Sequence, residues 1–512
     1  MTFCRLTVVL LPCVLLAVGC GGSRSPPPPS LSIATTSLAN GTVLFPYRQT
    51  IQAQGGVAPL TWTVSSGNLP HGISLVNGLG NSATVSGIPD TAQATVDFEI
   101  QVSDAKQQRA SKSYAITIDS SRSAALQEIQ GTQLPAGTLE IQGLSAGAFN
   151  PQYWQKNTLN WVPDVREPVF AAQQMGTYRN IYAPWPLEQP GGWRLFYGGW
   201  DGQEVPYDQI YSSTTADFLS FGTRDHIISN GAFLNVNNVN VQRSADGSLH
   251  MICTGGQAAN SGGDKPLYFS SADGTTWNGS PEPYAAQLSD IIPAIEGYSS
   301  FNSGNFNGAN VLLQDKGGWV LYFADWNNGF NIYRATAAAL PNFHFQGTAL
   351  NTGHLINDVK KFVVNGTDWY VGGLGHNEQT LWYSISNDGV TFQPEQVLFK
   401  QLSASDYWIV TIGFVVRENR LLGVLYGASA VETLDQNEIF GRWLQKQVLL
   451  TDPTGNGNSA QGGYGPDRQW FQLPASATLH GTISVYAEDG ITPLASGSVD
   501  VAAGKSYQLT IN

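Results

Sequence analysis

Trp193-Arg-Leu-Phe-Tyr197, Leu249-His-Met-Ile-Cys253, Trp319-Val-Leu-Tyr-Phe323, Trp369-Tyr-Val-Gly-Gly373 and Leu421-Leu-Gly-Val-Leu425 are five short apolar stretches. Each follows another hydrophobic run across a tight Gly, Asp or Asn turn. Their starts lie 56, 70, 50 and 52 residues apart. A hairpin recurring at such an interval is a unit that cannot bury its own apolar face, and the interval suits a four-stranded propeller blade with variable loops. Third strands follow at Tyr211–Phe221, Tyr268–Trp277, Tyr333 and Tyr383–Phe392. The count predicts an all-β chain whose main body, residues 175–455, is a five-bladed β-propeller.

Two turns in that repeat, Ser271-Ala-Asp-Gly-Thr-Thr-Trp277 and Ser386-Asn-Asp-Gly-Val-Thr-Phe392, resemble a shortened sialidase Asp box. In such a turn the Ser and Asp hold the backbone and the aromatic packs beneath it, so Asp273 and Asp388 are structural.

Before the repeat, Leu60-Thr-Trp-Thr-Val64, Val96-Asp-Phe-Glu-Ile-Gln-Val102 and Tyr114-Ala-Ile-Thr-Ile118 alternate with period two between turn residues, which reads as a β-sandwich over 31–120. The run Gly55-Gly-Val-Ala-Pro-Leu-Thr-Trp62, with Leu69–Leu75, Val85-Ser-Gly-Ile-Pro89 and Phe98–Asp104, resembles the Ig-like domain of many bacterial surface proteins. Related cadherin-like domains bind calcium between repeats, which makes Asp97, Asp104 and Asp119 calcium candidates. Calcium needs six to eight convergent oxygens, however, and the domain reads as a spacer. Residues 121–174 connect it to the propeller, with Leu139–Gln142 and Val169–Ala172 as candidate ring-closing strands. Alternation returns at Thr482–Tyr486 and Tyr507–Ile511, predicting a small C-terminal β-unit over 466–512.

At the start, Arg5 precedes the apolar run Leu6–Gly19, too short to span a bilayer and suited to a signal peptide. Ala17-Val18-Gly19-Cys20 resembles the bacterial lipobox, with Leu16 one residue early. The resemblance implies removal of residues 1–19, a lipid on Cys20 and attachment to a membrane, in the cell envelope at the outer membrane or cell surface. Gly21, where an inner-membrane protein of this kind has Asp, is compatible with the outer membrane. Residues 20–30, with four consecutive prolines, form a tether. Of the four cysteines only Cys253 then remains free, so no disulfide forms within the mature chain, and its apolar strand suggests a buried thiol. A net charge of -13 excludes a nucleic-acid partner, whose phosphates require a basic face.

In a propeller the innermost strand starts at the same mouth as the loop joining the second and third strands. Those loops carry Trp200, Asp201, Glu204, Asp208, Asp325, Trp326, His376 and Glu378. Aromatic faces and planar polar groups together suit a sugar. Such a ring resembles the arabinanase, xylosidase and invertase glycosidases. That resemblance implies an acid on the innermost strand of each of the first three blades, one carboxyl to protonate the leaving oxygen and one to activate water or attack.

The corresponding starts here are Asn180-Ile-Tyr-Ala-Pro184, Asn235-Val-Asn-Asn-Val-Asn240 and Asn305-Phe-Asn-Gly-Ala-Asn310, none with an acid. Blade 4 alone has one, Asp358, beside Lys360 and Lys361. The expectation is therefore a glycan site with Trp200, Asn238, Asn310, Trp326 and His376 as binding residues. Asp201, Asp208, Asp325, Asp358 and Glu378 are the alternative catalytic set, provided that three or more line one pocket with Trp200 or Trp326. The competing reading is a protein-interaction or envelope-assembly propeller without chemistry. No metal is required by either.

Overall fold

The computed structural model describes residues 30–42, 47–78, 80–87, 89, 91–119, 122–173, 180–202, 207–256, 263–308, 310–453 and 456–512. Cys20, the apolar run Leu6–Gly19 expected to be a signal peptide, and Glu204 lie outside the described residues.

Alternation along Tyr47–Gln54 and Arg109–Asp119 turns one face of each strand inward. The strands form two four-stranded sheets, one ordered Ser32–Ile33, Tyr47–Gln54, Ser82–Gly87, Ile73–Asn77 and the other Gly41–Thr42, Arg109–Asp119, Gln93–Ser103, Thr61–Gly67. Ile51, Trp62, Val85, Ile100, Tyr114 and Ile116 fill the space between them, the core of an Ig-like sandwich. The calcium candidates do not converge here. Asp97 and Asp119 are exposed. Asp104 is buried, and its carboxylate accepts the N–H groups of Val57, Lys106 and Gln108 at 3.0, 2.9 and 2.8 Å, which fixes a turn. Among the described residues no group of three His, Cys, Asp or Glu side chains is placed to hold a metal.

The propeller has five blades. Its innermost strands are Ile181–Gln189, Asn235–Arg243, Asn310–Asp315, Leu355–Val364 and Trp408–Arg417, blades 1 to 5 in order. Each pairs outward with the repeated hairpin partner, and that strand with a third. The axis is tight: a Cβ on Gly413 of blade 5 would stand 1.9 Å from the Pro184 carbonyl of blade 1, so only glycine allows the two strands to approach. Both Asp-box turns are structural in the expected way, Asp273 accepting from Thr275 and Thr276 N–H and Asp388 from Val390 and Thr391 N–H.

Outer strands differ between blades. In blade 2 the sheet has three strands, and Thr276–Trp277 with Ser280–Pro281 forms a separate hairpin. In blade 5 the fourth strand is Trp161–Pro163, from before the ring, with Trp161 opposite Leu444 and Pro163 opposite Arg442. This antiparallel pairing closes the propeller and removes a sheet edge. Val169–Ala172 contributes only a bridge from Phe170 to Ile439. Just before the closing strand, the helix Pro151–Lys156 is capped by Asn150, whose side chain accepts from Gln152 N–H. It buries Trp154 edge-on against Tyr383 and Phe414 of blades 4 and 5.

The remaining strands form a second sandwich whose extent differs from the sequence expectation of 466–512. One sheet is ordered Gly462–Gly463, Arg468–Gln472, Thr138–Gln142, Ser506–Ile511, Ala124–Glu128. The other contains Gly457–Ser459, Gln447–Thr451, Thr478–Tyr486 and Pro493–Ala502. Thr138–Gln142 therefore lies between two C-terminal strands rather than on the ring. Leu139 and Ile141 are fully buried against Leu450, Phe471, Ile483 and Val501. Cys253 is buried and free. No helix among the described residues is long and apolar enough to cross a membrane.

Candidate functional site at the propeller mouth

Four of the five innermost strands lose register at the same end, between Tyr182 and Trp185, Asn237 and Asn240, Ile356 and Asp358, and Ile409 and Thr411. A bulge leaves a residue unpaired and redirects its side chain, a common device beside binding sites. Here it frees Asn238 of blade 2 and Asn357 of blade 4. Asn238 sits at φ 54, a left-handed conformation that asparagine tolerates, and donates to the side-chain oxygens of Asn237 and Asn307. Ala183 takes φ 51 in blade 1, held by its N–H on Thr411 Oγ1 at 2.8 Å.

The bulges surround a cavity of about 270 Å³ to which all five blades contribute. Blade 1 supplies Tyr182, Trp200 and Asp208, and blade 2 the three asparagines 235, 237 and 238. Asn307 and Trp326 come from blade 3, Asn357 and Asn377 from blade 4, Thr411 and Asp435 from blade 5. Trp185, Asn310 and Ile412 narrow the floor. No Lys or Arg lines this mouth among the described residues. Trp326 is half-buried, its indole N–H on the Asn307 carbonyl at 2.7 Å, and packs edge-on to Phe330 and His376 in an aromatic group at the rim. His376 itself bonds the Gly353 carbonyl and lies beside the cavity, backing Trp326.

Asp208 is the one member of the proposed acid set that lines the cavity. Its Oδ2 accepts from Tyr182 at 2.5 Å and Asn237 at 3.0 Å, while Oδ1 is buried without a partner. Burial raises its pKa to about 6, against the two hydrogen bonds and with help from the negative charge of Asp435. Asn310 and Asn357 likewise leave their buried side-chain oxygens unpartnered. Unsatisfied acceptors in a polar cavity are unusual and mark a place for donors from outside the protein.

The other four acids are held elsewhere. Asp201 accepts from Tyr197, from the Gln173 N–H and from Arg224 at 2.5 Å, and Arg224 lies over the Phe170 ring. Asp325 caps a short turn, accepting the Asn305 and Asn327 N–H groups and the Tyr298 hydroxyl. Asp358 is buried between blades, bonded to the Phe414 N–H and 3.1 Å from Lys360, whose ammonium sits 3.3 Å over Trp185. Glu378, half-buried, accepts from Trp382 and pairs with His354 at 3.1 Å. With one acid of five in the cavity, the condition for hydrolysis by that set is not met. Tyr182, Asn237, Asn357, Thr411 and Asp435 were the residues not foreseen. For Tyr182, Asn237 and Asn357 the signal was the asparagine-bearing strand starts, which register only as missing acids when a carboxylate is sought. Asp435 lies in the loop after the second strand of blade 5, and Thr411 in an apolar strand start that gives no signal.

Fold and site together define an Ig-like sandwich followed by a five-bladed propeller with a polar, aromatic-edged mouth. Residues 28–119 match the family model described as "Putative Ig domain". No curated protein matches the chain. Among solved structures, one titled "Glycoside hydrolase" is similar over 58% of this chain and 95% of its own, at 10% identity and TM-score 0.43. The endo-arabinase from Bacteroides thetaiotaomicron is similar over 53% and 96%, at 12% identity and TM-score 0.36. A B. subtilis levansucrase is similar over 57% and 89%, at 12% identity and TM-score 0.39. No residue role passes from these proteins to this chain.

Proposed function

We propose that this chain is a lipid-anchored protein of the cell envelope whose propeller mouth binds a glycan. One observation carries the reading: a five-blade cavity in which Trp326 and Tyr182 offer aromatic surface while one side-chain oxygen each of Asp208 (Oδ1), Asn310 and Asn357 lacks a donor. Sugar hydroxyls supply such donors and sugar C–H faces suit the rings. The anchor rests on the lipobox-like Ala17–Cys20, and the tether and Ig-like spacer would hold the ring away from the membrane.

Binding without hydrolysis is the form the acid placement favours. A glycan array on the soluble form beginning at Leu31, paired with a reducing-sugar assay, tests it: retention of one glycan class with no new reducing ends is expected. Failure to retain any glycan sinks the reading. Release of reducing ends would turn it toward catalysis by Asp208 and Asp435. The exposed Tyr207, Leu234, Val431 and Leu434 on the mouth-side loops favour a second reading, a protein partner at the same face, which a blank array with a stable protein complex would support.

A further inference from the structure

A second cavity, of about 660 Å³, opens at the other end of the ring, where the turn between the inner two strands of blade 5 meets the helix Pro151–Lys156 and the C-terminal sandwich. Three cations line it: Arg122, Arg420 and Lys446. Three acids line it as well: Glu418, exposed, pairs through one oxygen with Arg420 at 3.5 Å and leaves that guanidinium its other donors. Asp467 accepts from the Gly143 and Ser145 N–H groups, both at 3.1 Å, and from Ser145 Oγ at 2.9 Å. Glu488 is buried, which raises its pKa toward the neutral form against the Gly147 N–H and Lys446. Burial lowers the pKa of Lys446, and Arg420 and Arg122 push the same way while Glu488 and Asp467 oppose, so the three cations share one field. Lys446 spends one donor on the Ser145 carbonyl. An ammonium has three donors and a guanidinium five, which leaves capacity here for an outside acceptor. Leu494, Leu509 and Ile511 add an apolar wall.

We propose that this cavity binds a small organic carboxylate, with Arg420 and Lys446 gripping the anion and the leucine wall covering the rest of the ligand. Its volume falls in the range of small-molecule sites. The mouth, by contrast, has two aspartates and no cation among its described residues, whereas here three cations stand beside three acids. The site stands apart from the glycan reading.

Calorimetry on the soluble form from Leu31 tests it, with galacturonic acid, succinate and galactose at millimolar concentration. Galacturonate or succinate is expected to bind and galactose not to bind; which acid binds tells a sugar acid from a simple one. Arg420→Gln, at a partly exposed position, and Lys446→Gln should each weaken carboxylate binding roughly tenfold or more. Trp326→Ala at the mouth should leave it unchanged. Lack of binding by both acids, or affinity that survives both substitutions in folded protein, overturns the proposal.

Discussion

Tyr182 and Asp208 meet at the mouth across 2.5 Å, phenol to carboxylate, the one from the bulged inner strand of blade 1 and the other from the loop following its second strand. Burial raises the Asp208 pKa to about 6, above the 3.8 of an exposed aspartate. A raised acid binds its proton more tightly folded than unfolded. Its contribution to stability is complete below pH 4 and is lost as pH rises through 6. The difference is worth roughly 3 kcal/mol at about 1.4 kcal/mol per unit. Asp208→Asn, which keeps an acceptor for Tyr182, should flatten that part of the pH dependence and stabilise the protein at pH 8 by roughly 1–3 kcal/mol. Urea unfolding at pH 4.5 and 8 measures this; equal pH profiles for the two proteins would show that Asp208 is ionised in the native state throughout.

Asp201, seven residues away, is held as one half of an ion pair. It neutralises Arg224 and receives Tyr197, and its side chain is fully buried. Asp201→Ala leaves a guanidinium against Phe170 without its counter-charge and should cost about 3–5 kcal/mol. Glycan affinity of the protein that remains folded should not change, since Asp201 is outside the cavity. A loss of affinity at unchanged stability would place Asp201 in the site.

The contrast explains what was legible in the sequence. Blades were readable because Trp193, Trp319 and Leu421 each open a strand whose buried face repeats at a near-constant interval, and the Ig-like sandwich because its alternation is clean. The closing strand was not, because Trp161–Pro163 has three residues and its identity depends on Leu444 and Trp443 across the gap. Nor does sequence distinguish Asp201 from Asp208: both lie in one polar loop, and only Arg224 and Tyr182, brought in by other strands, decide which becomes a buried ion pair and which an open acceptor. The bulges that turn Asn238 and Asn357 inward leave no signal beyond the asparagines themselves.

Trp326 is half-buried, stacked edge-on against Phe330 and His376 and tied to Asn307 by its indole N–H. Replacing it by Ala removes a half-buried aromatic face that lines the cavity, without opening the core. Glycan affinity should fall about tenfold or more, with stability reduced by about 1 kcal/mol or less. Titration of wild type and Trp326→Ala with the glycan retained on the array checks this; unaltered affinity would move binding away from the mouth.

His354 lies between two carboxylates, Nδ1 at 2.9 Å from Glu395 and Nε2 at 3.1 Å from Glu378, with its ring stacked on Trp382. Burial alone would lower its pKa, but the hydrogen bond and charge of Glu395, then the charge of Glu378, outweigh this and raise it. The stabilisation is complete below the unfolded histidine pKa of about 6.5 and fades as pH rises through the folded value. Since Glu378 also exchanges both backbone hydrogen bonds with Ile409 of blade 5, its loosening reaches the blade 4–blade 5 rim. Amide exchange at Ile409 should quicken above that pH by more than the intrinsic pH effect, and Glu395→Gln should shift the onset downward. An exchange profile indifferent to Glu395→Gln removes the coupling.

Because the ring is closed by Trp161–Pro163 and the second sandwich takes Ala124–Glu128 and Thr138–Gln142, the segment between the Ig-like domain and the ring belongs to both folded bodies behind it. A chain beginning at Arg122 keeps every one of these strands and should unfold at the temperature of the longer protein. A chain limited to 175–455 loses the closing strand, leaves the outer edge of Glu438–Leu444 open and strands Gln447–Thr451 without its sandwich partners. Unpaired apolar edges of this kind associate, so it should be recovered only as aggregate. Val162→Asp, at a buried position of the closing strand, gives a graded version and should cost about 3 kcal/mol or more. Size-exclusion chromatography and thermal unfolding of the three proteins distinguish the outcomes. A monomeric, cooperatively melting 175–455 fragment would mean that the five blades close without Trp161–Pro163.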